Sequence, residues 1–151
     1  MFISVQHEDF SLQEEYDKLR QQSSVGAVVT FSGLVRDCNL GETVTALTLE
    51  HYPGMTEKCL AEIVEQAKSR WNILDCTVIH RVGELQIQDQ IVFVGVASLH
   101  RQEAFASCEF IMDYLKTKAT FWKKEANEQG ESYWVDARES DHQALFKWQT
   151  Q

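Results

Sequence analysis

The chain has 151 residues, of which 44% are hydrophobic and 25% charged, the profile of one globular domain with a sizeable core. That composition excludes a disordered tail, a collagen-like chain and a low-complexity array. With 23 acidic against 14 basic residues the net charge is −9, which argues against a free-standing nucleic-acid binder.

No stretch approaches the ~20 consecutive apolar residues of a membrane span. The longest, Ile91 to Leu99, is strand-sized. The start, Met1-Phe2-Ile3-Ser4-Val5-Gln6, lacks the basic and apolar regions of a signal peptide, so the cytoplasm is the expected location. Cys38, Cys59, Cys76 and Cys108 are widely spaced, with no C-x-x-C. They read as reduced thiols rather than a disulfide framework or a zinc site.

Phe2 to Gln6 reads as a short strand. Ser11 to Gln22 reads as a helix capped by Ser11, with Glu14 in capping-box position. Gly26 to Val35 is an apolar, β-branched strand, and Asp37 to Glu42 a loop around Asn39 and Gly41. Val44 to His51 alternates as a strand until Pro53-Gly54 breaks it. Thr56 to Trp71 is an amphipathic helix with Leu60, Ile63, Val64, Ala67 and Trp71 on one face. Cys76 to Val82 is a strand, Gly83 a turn, and Gln90 to Leu99 a buried central strand. A second long helix opens at His100-Arg101 and runs to about Lys118, with Phe105, Cys108, Ile111, Met112 and Leu115 as its expected core face. Phe121 to Ala126 and Tyr133 to Ala137 read as a hairpin. The segment 138–151 reads as a polar tail carrying Leu145, Phe146 and Trp148. With no repeat and no linker, residues 1–151 form one α+β domain, a mainly antiparallel sheet with helices on one side and a small extra β subdomain.

Lys116, Lys118, Lys123 and Lys124 lie within one short stretch that holds no acid. In a chain of net charge −9 this reversal of sign invites an anionic ligand. Mutual repulsion and partial burial would also lower an amine's pKa and free it for acid–base or nucleophilic work. The plain alternative is that cations complement a helix C-terminus. His100-Arg101 sits where a strand hands over to a helix, a place suited to anions, and equally a surface pair. Arg36 ends an apolar strand, where a guanidinium grips phosphate or carboxylate or is simply solvated. Cys38 beside it reads as an incidental thiol. His7, His51, His80 and His142 show no ligand spacing and read as structural or exposed. No P-loop, dinucleotide fingerprint, zinc-protease motif or nucleophile elbow occurs, so no cofactor and no metal are expected.

Seven segments in order carry a resemblance. They are Gly26-Ala27-Val28-Val29-Thr30-Phe31-Ser32-Gly33 with Val35-Arg36; Leu47-Thr48-Leu49-Glu50-His51-Tyr52-Pro53-Gly54-Met55; His80-Arg81-Val82-Gly83-Glu84-Leu85; Ser98-Leu99-His100-Arg101; Phe110-Ile111-Met112-Asp113-Tyr114-Leu115-Lys116; Phe121-Trp122-Lys123-Lys124-Glu125; and Ala137-Arg138-Glu139-Ser140. Together they resemble the catalytic (large) subunit family of molybdopterin synthase.

The resemblance implies an α/β-hammerhead fold and a sulfurtransferase of molybdenum cofactor biosynthesis. It implies conversion of cyclic pyranopterin monophosphate (precursor Z) to molybdopterin. Sulfur would come from the C-terminal Gly-Gly thiocarboxylate of a small ubiquitin-like subunit. The implied assembly is a homodimer within a heterotetramer. The family's active-site lysines fall on Lys116 and Lys123. Its substrate contacts fall on Leu34, Val35, Arg36, His100 and Arg101, with Lys124 and Glu125 flanking Lys123. Relatives often carry lysine where Leu34 stands, which leaves that position a backbone or packing role. Some relatives place a proline near the turn at Ala119-Thr120. In this scheme Phe121, Trp122 and Trp134 wall the groove for the partner's tail or pack the hairpin, and the tail orders on partner binding. A rival from another class is a non-catalytic docking module for a ubiquitin-like partner. A phosphate-ester enzyme is a weaker third reading, since no metal-ligand set or P-loop is visible.

Overall fold

In the computed structural model, which describes residues 1–135 and 139–149, the elements run in this order: β1 (Phe2–Gln6), α1 (Leu12–Leu19), β2 (Ala27–Leu34), β3 (Cys38–Asn39), β4 (Glu42–Thr43), β5 (Ala46–His51), α2 (Met55–Arg70), β6 (Ile73–Arg81), β7 (Gly83–Gln86), β8 (Gln90–Ser98), α3 (Arg101–Lys118), β9 (Phe121–Ala126), β10 (Ser132–Val135) and α4 (Glu139–Gln149). Ala137 of the expected hairpin and Arg138 at the start of the expected tail lie outside the described residues.

The strands form two four-stranded sheets, β1-β6-β8-β2 and β10-β9-β5-β7, and β3 and β4 make a minimal hairpin. β1 joins β6 in parallel; the other pairings are antiparallel. This is the expected α+β architecture. β7, which the sequence reading left as a turn at Gly83, pairs with β5 and closes the edge of the second sheet.

The first sheet carries helices on both faces, not on one as expected. The reason is the composition of β8, which is apolar at successive positions and buried from Val92 to Ser98. Alternate side chains point to opposite faces of a strand. Val92, Val94 and Val96 therefore enter the core under α2 and α3, with Leu60, Ile63, Val64 and Ala67 of α2 and Cys108, Ile111 and Leu115 of α3. Phe93 and Ala97 face the other way, with Ile79 and with Leu19 of α1. Gly95 permits this close approach, because a Cβ there would lie 2.4 Å from Leu19 Cδ1. α1 starts as expected, with Ser11 Oγ accepting from the Glu14 N–H at 3.3 Å. The second sheet packs its inner face, Leu47, Leu49 and Leu85, against Val35 and Val82.

Phe105, expected in the core face of α3, is 61% exposed. Phe110, not expected there, is 1% exposed. At about 100° per residue Phe110 and Tyr114 fall on the flank covered by the end of α2 and by α4. Phe105 lies on the opposite, uncovered flank.

The largest difference from the sequence reading is at the C-terminus. The expected polar tail forms α4 from Glu139 to Gln149, docked on α3. Leu145 and Trp148 are buried. The Trp148 indole N–H donates to Asp113 Oδ2 at 2.7 Å, and its carbonyl accepts from Arg70 Nη2 at 2.9 Å. Its ring meets Trp71 and Phe110 edge-on, with centroids 5.5 and 5.4 Å apart. Lys147 pairs with Glu109 alongside. No helix among the described residues is long and apolar enough to cross a membrane.

Trp148→Ala should lower the unfolding free energy by about 3 kcal/mol, since it opens a cavity and strips Asp113 of its donor. Trp148→Phe, which keeps most of the ring contact, should lose less. Urea denaturation of the two variants checks the ranking.

Candidate active site

The junction between α3 and β9 sets the geometry. α3 ends at Lys118 with an extended Ala119, and β9 begins at Phe121. Thr56, fully buried at the start of α2, hydrogen-bonds the Thr120 carbonyl at 3.2 Å and shares a 2.9 Å contact with its hydroxyl. Cys59 Sγ donates to the Lys118 carbonyl at 3.5 Å. The turn is thus pinned to α2, and it holds Lys116, in the last turn of α3, near Lys123, the third residue of β9.

Lys116 and Lys123 stand between two cavities. One, of about 230 Å³, is polar and lined by Arg36, Cys38, Asn39, Glu125 and Asp141 with the two lysines. The other, of about 120 Å³, is more apolar and lined by Leu49, His80, Val92, Leu115 and Phe121, again with the two lysines. Leu34, Ile91 and Val135 border both.

Each wall has a local cause. A register shift between Gly33 and Leu34 breaks the β2–β8 ladder. Such a bulge re-aims the side chains that follow it. Leu34 stays half exposed and Val35 turns into the core, held by backbone bonds to Asp89 and Gln88 at 3.0 and 2.8 Å. Arg36 emerges at the cavity rim. On β9, Lys123 and Glu125 share the inward face. Lys124 points outward, its Nζ 5.5 Å from the Trp134 ring. Glu125 is buried and accepts from Asn39 Nδ2 at 2.9 and 3.1 Å, which ties the β3–β4 hairpin over the site.

Burial holds the Lys123 ammonium below its ordinary pKa, and Lys116 and Arg36 push the same way; Asp141 and Glu125 oppose them. The structure therefore joins Leu34, Val35, Arg36, Lys116, Lys123 and Glu125 as expected, and leaves Lys124 on the other face of the sheet. Phe121 walls the apolar cavity, whereas Trp122 and Trp134 are about half exposed on the outer face.

His100 and Arg101 do not reach this site within one chain. They line a separate open cavity with Gly26, Leu99 and Gln102. Arg101 opens α3 and Lys116 lies in its last turn, so a rise of about 1.5 Å per residue separates them by roughly 22 Å.

Three residues of the site escaped the sequence reading. Asn39 sat in an apparent loop, Asp141 in an apparent tail, and His80 had no ligand spacing. His80 is buried and stacks on Phe121, with centroids 3.8 Å apart and planes at 19°. Burial pulls its imidazole down to about 3, and Lys116, Lys123 and His51 push the same way against a bond to the Arg81 carbonyl. No group of metal-ligating side chains occurs among the described residues.

The folded pKa of His80 lies below the ordinary 6.5, so between those values the unfolded chain binds the extra proton. Stability should fall as pH drops from about 6.5 toward 3, with this residue contributing up to about 1.4 kcal/mol per pH unit. Urea denaturation at pH values inside that window, on wild type and His80→Gln, checks the sign: the variant's loss should be shallower.

Comparison with known proteins gives a consistent picture. A family model described as MoaE protein matches residues 5–118. The chain is 59% identical over 147 residues to the "Molybdopterin synthase catalytic subunit" of Vibrio cholerae, covering 97% of both chains. It is 60% identical over 146 residues to the protein of that name from Escherichia coli, again covering 97% of both. Among solved structures, a "Molybdopterin cofactor biosynthesis protein E" from Burkholderia multivorans superposes with a TM-score of 0.82 at 50% identity, covering 98% of this chain and 96% of that one. A chain from the protein–protein complex of subunits 1 and 2 of the molybdopterin-converting factor of Helicobacter pylori shares the fold at 17% identity, with a TM-score of 0.72 and coverage of 91% and 90%. The chain belongs to the MoaE protein family.

Proposed function

We propose that Lys116 and Lys123 are the catalytic amines of a molybdopterin synthase catalytic subunit, and that Arg36, His100 and Arg101 hold the phosphate and pterin of its substrate. The enzyme transfers sulfur in molybdenum cofactor biosynthesis, the activity that goes with its relatives' name. One observation carries the assignment of roles: in a chain of net charge −9, Arg36, Lys116 and Lys123 converge on the same cavity, and burial makes Lys123 easier to deprotonate.

The substrate class suits that arrangement. Precursor Z carries a phosphate, and the sulfur donor is the C-terminal thiocarboxylate of a small ubiquitin-like subunit, so two anions must meet. Lys116 receives the thiocarboxylate end and acts as acid and base while the sulfur bonds to a pterin side-chain carbon; an oxygen leaves that carbon as it takes a proton, and water then cleaves the resulting thioester, leaving the sulfur on the pterin and returning the partner's terminus as a carboxylate. Lys123 stabilises the oxyanion charge that develops. Glu125 and Asp141 offset part of the lysines' repulsion. The apolar cavity beside them, walled by Phe121 and Leu49, suits an extended Gly-Gly segment.

A second copy of the chain completes the site. Because α3 keeps His100 and Arg101 far from its own lysines, we assign their substrate contact to the partner protomer of a homodimer, with one small subunit at each end. The four cysteines are free, which suits the cytoplasm.

Lys116→Ala should lower dithiolene formation from precursor Z and thiocarboxylated partner by at least about 100-fold, with the fold and partner binding kept. Lys116→Arg should fail as well, since a guanidinium stays protonated; a docking surface would tolerate it. Near-normal turnover in either variant would count against an acid–base amine. Co-assembling Lys116→Ala chains with Arg101→Ala chains should restore turnover through hybrid dimers that hold one intact site. A mixture as inactive as its parents would place Arg101 in the same protomer's site, and an Arg101→Ala parent with normal turnover would place it outside the site.

A further inference from the structure

The polar cavity gathers three cations that nothing neutralises. Arg36, Lys116 and Lys123 all line it, and none of them makes a hydrogen bond or an ion pair among the described residues. A carboxylate stands within reach. Glu125 lines the same cavity, two residues along β9 from Lys123 and on the same face of the strand. At a rise of about 3.3 Å per residue their backbones are roughly 7 Å apart, a gap that lysine and glutamate side chains span together. Half-buried opposite charges so placed attract strongly, yet among the described residues they form no pair.

Asn39 accounts for the missing pair. Its Nδ2 donates to Glu125 Oε1 at 2.9 Å and to Oε2 at 3.1 Å. An ionised carboxylate only accepts, so the amide nitrogen, not its oxygen, faces Glu125. Among the described residues these are the hydrogen bonds of a carboxylate side chain whose residue is 8% exposed. The donor is delivered by the β3–β4 hairpin. Asn39 pairs with Glu42 across a two-residue turn in which Leu40 and Gly41 have φ of 51° and 83°. Both are positive, as the tight hairpin turn requires. Leu40 is 87% exposed, so its left-handed backbone is not repaid by burial of its side chain. The Val44 N–H closes the hairpin's base on the Asp37 carbonyl at 2.8 Å. The turn thus presents the Asn39 amide to β9 at a fixed place.

We propose that Asn39 is a positioning residue: by holding both oxygens of Glu125 it keeps that carboxylate out of an ion pair with Lys123, and the ammonium stays unpaired in the cavity. A neutral donor suits this task. It satisfies a buried charge that would be costly to leave alone, and it neither adds a cation nor cancels one. An anion that enters the cavity then meets the cations without first displacing an internal carboxylate. Glu125 still acts on Lys123 through space, as Asp141 does, but from beyond ion-pair distance. The inference deepens the amine site proposed above and rests on it for its role in turnover.

The test reads Lys123 directly, without turnover, so it fails independently of the catalytic assignment. The full-length chain is labelled with trace acetic anhydride across the alkaline range, and acetylation of Lys123 is followed by peptide mass spectrometry. The charged groups that act on this amine are Lys116 from α3, Asp141 from α4, Glu125 from its own strand and Arg36 after β2, with the neutral His80 from β6 beside them. Asn39→Ala frees Glu125 to pair with Lys123. The Lys123 midpoint should rise by about one pH unit, a roughly tenfold loss of unprotonated amine at a fixed pH below it. In a Glu125→Gln background no carboxylate is left to release, so adding Asn39→Ala should leave the midpoint where Glu125→Gln puts it. An unmoved or lowered midpoint in Asn39→Ala overturns the proposal. So does a rise of equal size in the Glu125→Gln background, which would mean that losing the amide merely opens the hairpin and lets water reach the amine. Asn39→Leu, which fills the same space without a donor, repeats both comparisons if Asn39→Ala does not fold.

Discussion

Two ammonium groups beside one cavity repel each other, and only a constrained backbone keeps them there. That constraint is the short turn through Ala119 and Thr120. It joins a helix packed on one sheet to a strand of the other, and buried Thr56 ties it down by hydrogen bonds to both the carbonyl and the hydroxyl of Thr120. The lysines cannot drift apart without breaking contacts that also anchor the start of α2. The charge is then moderated rather than neutralised. Glu125 is committed to Asn39, Asp141 arrives from α4, and burial weakens the hold of Lys123 on its proton. Low-dielectric walls make each of these influences stronger than it would be in water.

The two sheets divide the labour. The first, sandwiched between α1 and the α2–α3 pair, is a rigid platform whose central strand is buried on both faces. The second is smaller, carries Lys123 and Glu125 on its inner face and leaves Trp122 and Trp134 half exposed on the outer one. Its attachment to the platform runs through Phe121 and His80, a stacked pair drawn from both sheets. The site therefore lies at a seam between two layers, where side chains of distant sequence origin meet without long loops.

What could be read from the sequence was what neighbours in sequence decide. The Ser11 cap, the α2 stripe of Leu60, Ile63, Val64 and Ala67, and the apolar run of β8 each follow from local pattern. The lysine cluster was legible because its sign opposes the rest of the chain. Other features depend on contacts across the fold. α4 looked like a polar tail because its anchor, Trp148, finds partners in Asp113 and Arg70, 35 and 78 residues away. Phe105 and Phe110 exchanged places because the flank of α3 that is covered depends on where α2 ends and α4 docks. His80, Asn39 and Asp141 carry no local signal, and Arg36 joins the lysines only through the bulge after Gly33. His100 and Arg101 were read as part of one cluster, but the rigid length of α3 separates them from it.

The pairing of β1 with β6 has a consequence for synthesis. Phe2 lies opposite Thr77, so the first strand made has no partner until more than half the chain has left the ribosome. β6 in turn needs β8, which ends at Ser98. Until α3 emerges, the face it shares with α2 is only partly covered, and a topology so dominated by distant contacts folds slowly. The amines, which lie beyond this point, are assembled only after the platform exists. A growing chain thus brings Lys116 and Lys123 together only after the stage at which it is most exposed to aggregation.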